Sequence, residues 1–141
     1  MSRYELTELE VPIGDYRVIC SLATPVQVAD DPALLVAAGA NREGVIGADS
    51  CYRIVQTFVN EGHRALSFDP PNHGQFENEH GSGLVGMAGA FAAGEHPFAQ
   101  FVANGRRVID HCVHAGIVQP DRVFAFGRSR GGYCALRLTA A

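Results

Sequence analysis

The run Val123-Phe124-Ala125-Phe126-Gly127-Arg128-Ser129-Arg130-Gly131-Gly132 constrains this chain more than any other feature. An apolar, strand-prone segment delivers a serine between two glycines, and a helix-prone segment follows at once. Gly127 and Gly131 predict a backbone that turns sharply and holds the serine up at a strand's carboxyl end. That G-x-S-x-G pattern makes Ser129 a candidate covalent nucleophile. Small residues at such a junction also serve close packing, a role that Gly131, Gly132, Cys134 and Ala135 share. The residues after the elbow, Tyr133 to Ala141, contain neither a histidine nor a carboxylate side chain.

Strand and helix signals alternate before this turn. Leu6 to Val11 reads as extended and Arg17 to Leu22 as a short strand. Leu34 to Ala38 is a continuous apolar run closed by Gly39, the pattern of a strand buried on both faces. Asp49 or Ser50 can cap a helix whose apolar positions Cys51, Ile54, Val55, Phe58 and Val59 fall at helical spacing, with Gly62 as terminator. Ala65 to Phe68 is the next strand, broken by Asp69-Pro70-Pro71. The clearest periodic element carries Phe98, Phe101, Val102, Gly105, Val108, Ile109, Cys112 and Val113 on one stripe and ends at Gly116. This order predicts an α/β fold: a mostly parallel sheet with flanking helices, joined by right-handed crossovers.

The segment 72–97 resists that reading. It is rich in Gly, His and Glu, with a weakly apolar middle from Leu84 to Ala93, and is too long for a simple connection. A functional loop, a short helix or a small lid over a site all fit.

At 141 residues, 47% hydrophobic and 18% charged, the chain suits one globular domain spanning 1–141. Its net charge of -4 argues against nucleic acid or an anionic membrane as a general partner, since both call for clustered Lys and Arg. No stretch approaches the ~18 unbroken apolar residues of a membrane span, and Met1 to Val11 lacks the order of a secretory signal. Cys20, Cys51, Cys112 and Cys134 are scattered without C-x-x-C spacing, as free thiols of a reducing compartment would be. A cytoplasmic location is the expectation.

Three segments together resemble the amino-terminal half of an α/β-hydrolase, with the serine esterase and prolyl-oligopeptidase-like branch the nearest. Gly127-Arg128-Ser129-Arg130-Gly131-Gly132 matches that superfamily's elbow, including the extra glycine. Phe68-Asp69-Pro70-Pro71-Asn72-His73-Gly74 resembles its Asp-x-Pro-x-x-His-Gly-type segment, and Leu35 to Asn41 stands in the place of its oxyanion loop. The resemblance covers roughly 17–141. It implies acyl transfer on an ester, thioester or peptide-like small molecule, without a cofactor or metal. Ser129 would attack, with the N–H groups of Arg130 and Ala40 as oxyanion donors. The family's usual His-Gly is Ala38-Gly39 here.

The superfamily's triad runs serine, acid, histidine along the chain, so the resemblance implies a hydrolase fold truncated after the nucleophile helix. Acid and base would then come from a second copy, a complementary chain or further residues. Otherwise the chain is an inactive hydrolase remnant or interaction module. His73 or His80 could reach Ser129 as a local base, because both loops belong to the sheet's carboxyl edge.

Other chemistry finds less support. His73, Glu77, Glu79 and His80 cluster in the long segment, and His111 and His114 flank a helix stripe. Neither group has the H-E-x-x-H or paired-cysteine spacing of a zinc site. Gly39 to Gly44 lacks G-x-G-x-x-G, and no P-loop lysine follows a glycine run. A truncated sheet would leave the strand ending at Phe126 as an apolar edge and expose Tyr133, Leu136 and Leu138. The expectation is therefore a homo-oligomer or docking with a complementary chain.

Overall fold

The computed structural model describes residues 3–47 and 52–141. The strands are β1 (Tyr4–Ile13), β2 (Tyr16–Pro25), β3 (Leu34–Ala38), β4 (Arg64–Phe68) and β5 (Val123–Gly127), hydrogen-bonded in the order β1-β2-β4-β3-β5. The helices are α1 (Arg42–Ile46), α2 (Arg53–Asn60), α3 (Gly83–Ala92), α4 (Pro97–His114) and α5 (Arg130–Thr139). The α/β architecture with flanking helices is as the sequence predicts, and the sheet is mixed. β4, β3 and β5 are parallel, whereas β1 and β2 add an antiparallel hairpin at one side. Ile13 pairs with Tyr16 across a two-residue turn, Gly14-Asp15. Gly14 takes φ +57, the conformation that the first central residue of a type II′ hairpin turn requires.

Strand alternation divides the core between two faces. Leu34, Val36, Ala38, Leu66 and Phe68 point toward α4 and α5, where Phe101, Val108, Cys112, Cys134 and Leu138 meet them. Phe68 and Phe101 stack with ring centroids 4.8 Å apart. Leu35, Ala37 and Ala65 point the other way, toward Val45 and Ile46 of α1 and Val55 and Val59 of α2. β3 is buried at every position because helices cover both of its faces.

Several details differ from the sequence reading. α1 was not foreseen; it is one short turn, started by Asn41, whose Oδ1 accepts a 2.7 Å hydrogen bond from Gly44 N. α2 begins at Arg53, and the suggested caps Asp49 and Ser50 lie outside the described residues, as does Cys51. Ile54 is 50% exposed, because the buried stripe of α2 runs through Val55 and Val59 instead. Leu138 faces the core against Gly105, so only Tyr133 and Leu136 of the expected patch are exposed. The segment 72–97 holds a 3₁₀ turn (Gly74–Phe76) and the ten-residue α3. Cys20, Cys112 and Cys134 are free and buried. No helix among the described residues is long and apolar enough to cross a membrane.

The connections define where a site can form. From β3 the chain passes through α1 and α2 to β4 on one side. From β4 it returns through α3 and α4 to β5 on the other side of β3. Helices therefore leave the adjacent strands β3 and β5 toward opposite faces, opening a crevice at their carboxyl ends.

Candidate active site

β3 and β5 run in parallel register from Leu34 opposite Val123 to Ala38 opposite Gly127, so their carboxyl ends are level. The loop starting at Gly39 and the elbow starting at Arg128 consequently emerge side by side. Gly39, Ala40, Tyr52, Leu84, Arg128, Ser129, Arg130 and Gly131 line one open hollow of ≈ 300 Å³. Ser129, Arg130, Ala40 and Gly131 are thus brought together as the sequence suggests. Tyr52, which precedes α2, and Leu84, in the first turn of α3, are lining residues that no sequence motif marked.

Ser129 has φ 55 and ψ -124, a region costly for a residue with a Cβ. The strain falls on the serine itself, whereas the sequence reading assigned the unusual turn to the neighbouring glycines. Their role is close approach. A Cβ on Gly127 would collide with the carbonyl of Gly131, and one on Gly131 would collide with the carbonyl of Ala38. The first turn of α5 can press against β3 and β5 only with glycine at both positions.

Arg130 is the first residue of α5, where N–H groups have no partner within the helix. Its backbone donor is available beside the serine, at the end of the helix that favours negative charge. Ala40 is exposed in the bend after β3.

The segment after β4 ties these two loops together. Asp69 is 4% exposed, and its carboxylate accepts hydrogen bonds from Arg42 N at 2.9 Å and Gln75 N at 3.0 Å. Arg42 Nε lies 4.0 Å from the same carboxylate. His73 approaches the carbonyl of Pro71 through Nδ1 at 2.8 Å and Arg130 Nη2 through Nε2 at 2.9 Å. A carbonyl only accepts, so Nδ1 carries the proton and Nε2 accepts from the guanidinium. Asp69 therefore holds the start of α1 just after the β3 loop, and His73 holds the elbow residue Arg130.

Neither histidine proposed as a local base serves Ser129. His73 is occupied as above, and His80 Nε2 bonds Glu95 Oε1 at 2.8 Å. That bond chiefly raises the pKa of His80 above its ordinary 6.5. Among the described residues, no carboxylate or imidazole is hydrogen-bonded to Ser129. Of the suggested metal-site residues, Glu79 and His80 come together with Glu95, their donor atoms within 4.8 Å of one another, whereas His73 turns to Arg130.

Similar architectures occur among solved structures. A cold-adapted esterase from an Arctic intertidal metagenomic library, in complex with polyethylene glycol, matches all of this chain with TM-score 0.72 and 17% identity; 57% of that chain is covered. An acetyl xylan esterase from Paenibacillus sp. R4 matches over 98% of this chain and 45% of its own, with TM-score 0.70 and 17% identity. A dienelactone hydrolase-like promiscuous phosphotriesterase from metagenomic libraries matches over 97% and 54%, with TM-score 0.63 and 18% identity. No protein-family model matches the chain, and no curated protein matches it either. The likeness shows the fold: an α/β-hydrolase-like arrangement spanning about half the length of those hydrolases.

Proposed function

We propose that this chain carries the nucleophile half of a serine hydrolase that transfers acyl groups from esters, thioesters or peptide-like compounds through Ser129. The observation that carries the reading is Ser129 itself. It is held at φ 55 between a strand and a helix, on the same hollow as Gly39 and Ala40. In the proposed chemistry its hydroxyl attacks the carbonyl. The N–H of Arg130, with that of Ala40, would receive the developing oxyanion. The similar structures bear the names of esterases and hydrolases, which supports the esterase side of this reading.

The acid and base that activate the serine would be supplied from outside the described residues, by further sequence, a second copy or a complementary chain. The occupied rings of His73 and His80 favour a second reading for the 141 residues alone: an elbow without turnover. Removing the base of a serine triad costs on the order of 10⁶ in turnover, although the oxyanion hole and binding preserve ~10³ to 10⁴ over water.

A fluorophosphonate probe followed by peptide mass spectrometry tests the assignment. Any labelled serine should be Ser129, and Ser129→Ala should then abolish the label. Labelling at Ser21, Ser50, Ser67 or Ser82 would overturn it. Steady-state p-nitrophenyl acetate hydrolysis by the 141-residue chain should stay near background. A robust rate lost in Ser129→Ala would show that a base is already present.

A further inference from the structure

We infer that the Ser129 hollow accepts a substrate bearing an anionic oxygen group, a carboxylate or a phosphate, and that the Arg130 side chain receives it. This rests on the reading of Ser129 as the nucleophile.

Arg130 carries a charge that no carboxylate among the described residues balances. A guanidinium stays protonated throughout the working pH range, and taking it from water without an anion is costly. Among the described residues, Arg17, Arg42 and Arg122 each lie within 4.0 Å of a carboxylate. Arg130 has no such neighbour among them. Its Nη2 donates to His73 Nε2, which accepts through its lone pair and brings no negative charge to the guanidinium. The bond orients the fork without offsetting its charge. Arg130 Nε is buried and makes no hydrogen bond.

The position of this cation matters as much as its isolation. Arg130 follows the nucleophile directly, and it lines the same hollow with Arg128. The other lining residues are Gly39, Ala40, Tyr52, Leu84, Ser129 and Gly131, none of them acidic. Among the described lining residues, the charged side chains are those of Arg128 and Arg130. A planar guanidinium with no carboxylate beside it suits the paired oxygens of a carboxylate or phosphate. A neutral ester would leave that charge unmet, so an anionic one is preferred for the same reason that a site built around a polar group rejects an analogue lacking it.

Equilibrium binding to the full chain tests this separately from catalysis. The probes are monomethyl glutarate, methyl phosphate and, as the neutral control, dimethyl glutarate. Titration calorimetry should give at least about tenfold tighter binding of one anion than of dimethyl glutarate, the scale of one charge-assisted hydrogen bond. The preferred anion identifies the group as carboxylate or phosphate. Arg130→Gln should erase the preference, Arg130→Lys should retain part of it, and Arg137→Gln, outside the hollow, should leave it intact. Equal binding of all three probes to the wild-type chain would overturn the inference, as would an anion preference surviving in Arg130→Gln. If Arg130→Gln fails to fold, Arg130→Lys decides: full retention of the preference overturns the assignment to this fork. Anion binding that depends on Arg130, with the fluorophosphonate label on a serine other than Ser129, would sink the acyl-transfer reading and leave the anion site standing. Labelling without anion preference would do the reverse.

Discussion

His73 Nε2 lies 2.9 Å from Arg130 Nη2, linking the segment after β4 to the first residue of the elbow helix. The residues are 57 positions apart, and the same imidazole is anchored at Nδ1 by Pro71 O. Through Asp69 and Arg42 N, the segment also holds the chain that follows the β3 loop. The two backbone donors proposed for the oxyanion are thus fixed to one intermediate segment rather than to each other.

That arrangement predicts unequal costs. Asp69→Ala leaves the backbone N–H groups of Arg42 and Gln75 without their acceptor in a buried place, and should destabilise the fold by about 3 kcal/mol or more. His73→Ala removes one bond to a cation and one to a carbonyl, at a cost of about 1–3 kcal/mol. Urea unfolding of both variants checks the order. A His73→Ala loss exceeding that of Asp69→Ala would place the anchor elsewhere.

Ser129 should lower the stability of its own fold. At φ 55 and ψ -124 a glycine is at ease and any residue with a Cβ is not. Ser129→Gly is expected to stabilise the chain by about 1 kcal/mol, while Ser129→Ala, which keeps the Cβ, should not. Gly131→Ala should be severely destabilising, since the added carbon meets the backbone of Ala38 rather than a movable side chain. Thermal melts of the three variants test this, and a stabilised Gly131→Ala would contradict the packing described.

The elbow and β3 were legible because their signals are local: a run of five apolar residues, and glycines at fixed spacing. The hairpin was only half legible. Leu6 to Val11 and Arg17 to Leu22 read as extended, but nothing local says that Ile19 will pair with Glu10 rather than join a parallel ladder. α1 escaped notice because one helical turn begun by Asn41 has too few residues to show a period. The roles of His73 and Leu84 were illegible for a different reason. Each depends on how the segment 72–97 folds back over the sheet edge, and a Gly-rich stretch carries little periodic pattern to say so. Leu138 was misplaced on the surface because the gap it fills exists only where Gly105 of α4 omits a side chain.

The cysteines give a prediction with a defined sign. Burial pushes Cys20 up to about 12 from 9.0, and Cys112 and Cys134 up to about 11. In the unfolded chain these thiols ionise from about pH 9, while in the fold they keep their protons. The unfolded state therefore binds fewer protons above pH 9, and stability falls as pH rises through that range. The urea midpoint should drop progressively from about pH 9 to about pH 11. Iodoacetamide should modify these three residues only after unfolding. Rapid native alkylation of Cys20 would show that its site opens.

His80 contributes with the same sign at lower pH. Its hydrogen bond to Glu95 raises its pKa above 6.5, so the ion pair joining the turn before α3 to the turn before α4 is fully formed below that value. The pair is lost as pH rises through the raised value. Proton NMR of His80 should show titration above 6.5, and Glu95→Gln should lower it. An unchanged titration in that variant would remove Glu95 as the cause.

The final prediction concerns β5, which is the edge of the sheet in the order β1-β2-β4-β3-β5. An edge strand offers a row of unused backbone donors and acceptors, and natural edges are commonly guarded by lysine, proline or a bulge. Val123-Phe124-Ala125-Phe126-Gly127 has no such guard, and Phe124 is 47% exposed. On the adjoining helix Leu136 is 66% exposed, and Tyr133 joins Phe91 and Phe98 in an open aromatic hollow. Backbone pairing along the strand and apolar burial beside it would act together, so the 141-residue chain should associate with itself or with a complementary chain. Sedimentation velocity over a concentration series should show a rising weight-average mass. Phe124→Lys, which places a charge on the edge and gives up only the edge-on contact with Phe58, should shift the distribution toward monomer. A wild-type chain that stays monomeric at high concentration would mean that the β5 edge is protected in solution, and would remove self-association as a source of the acid and base proposed for Ser129.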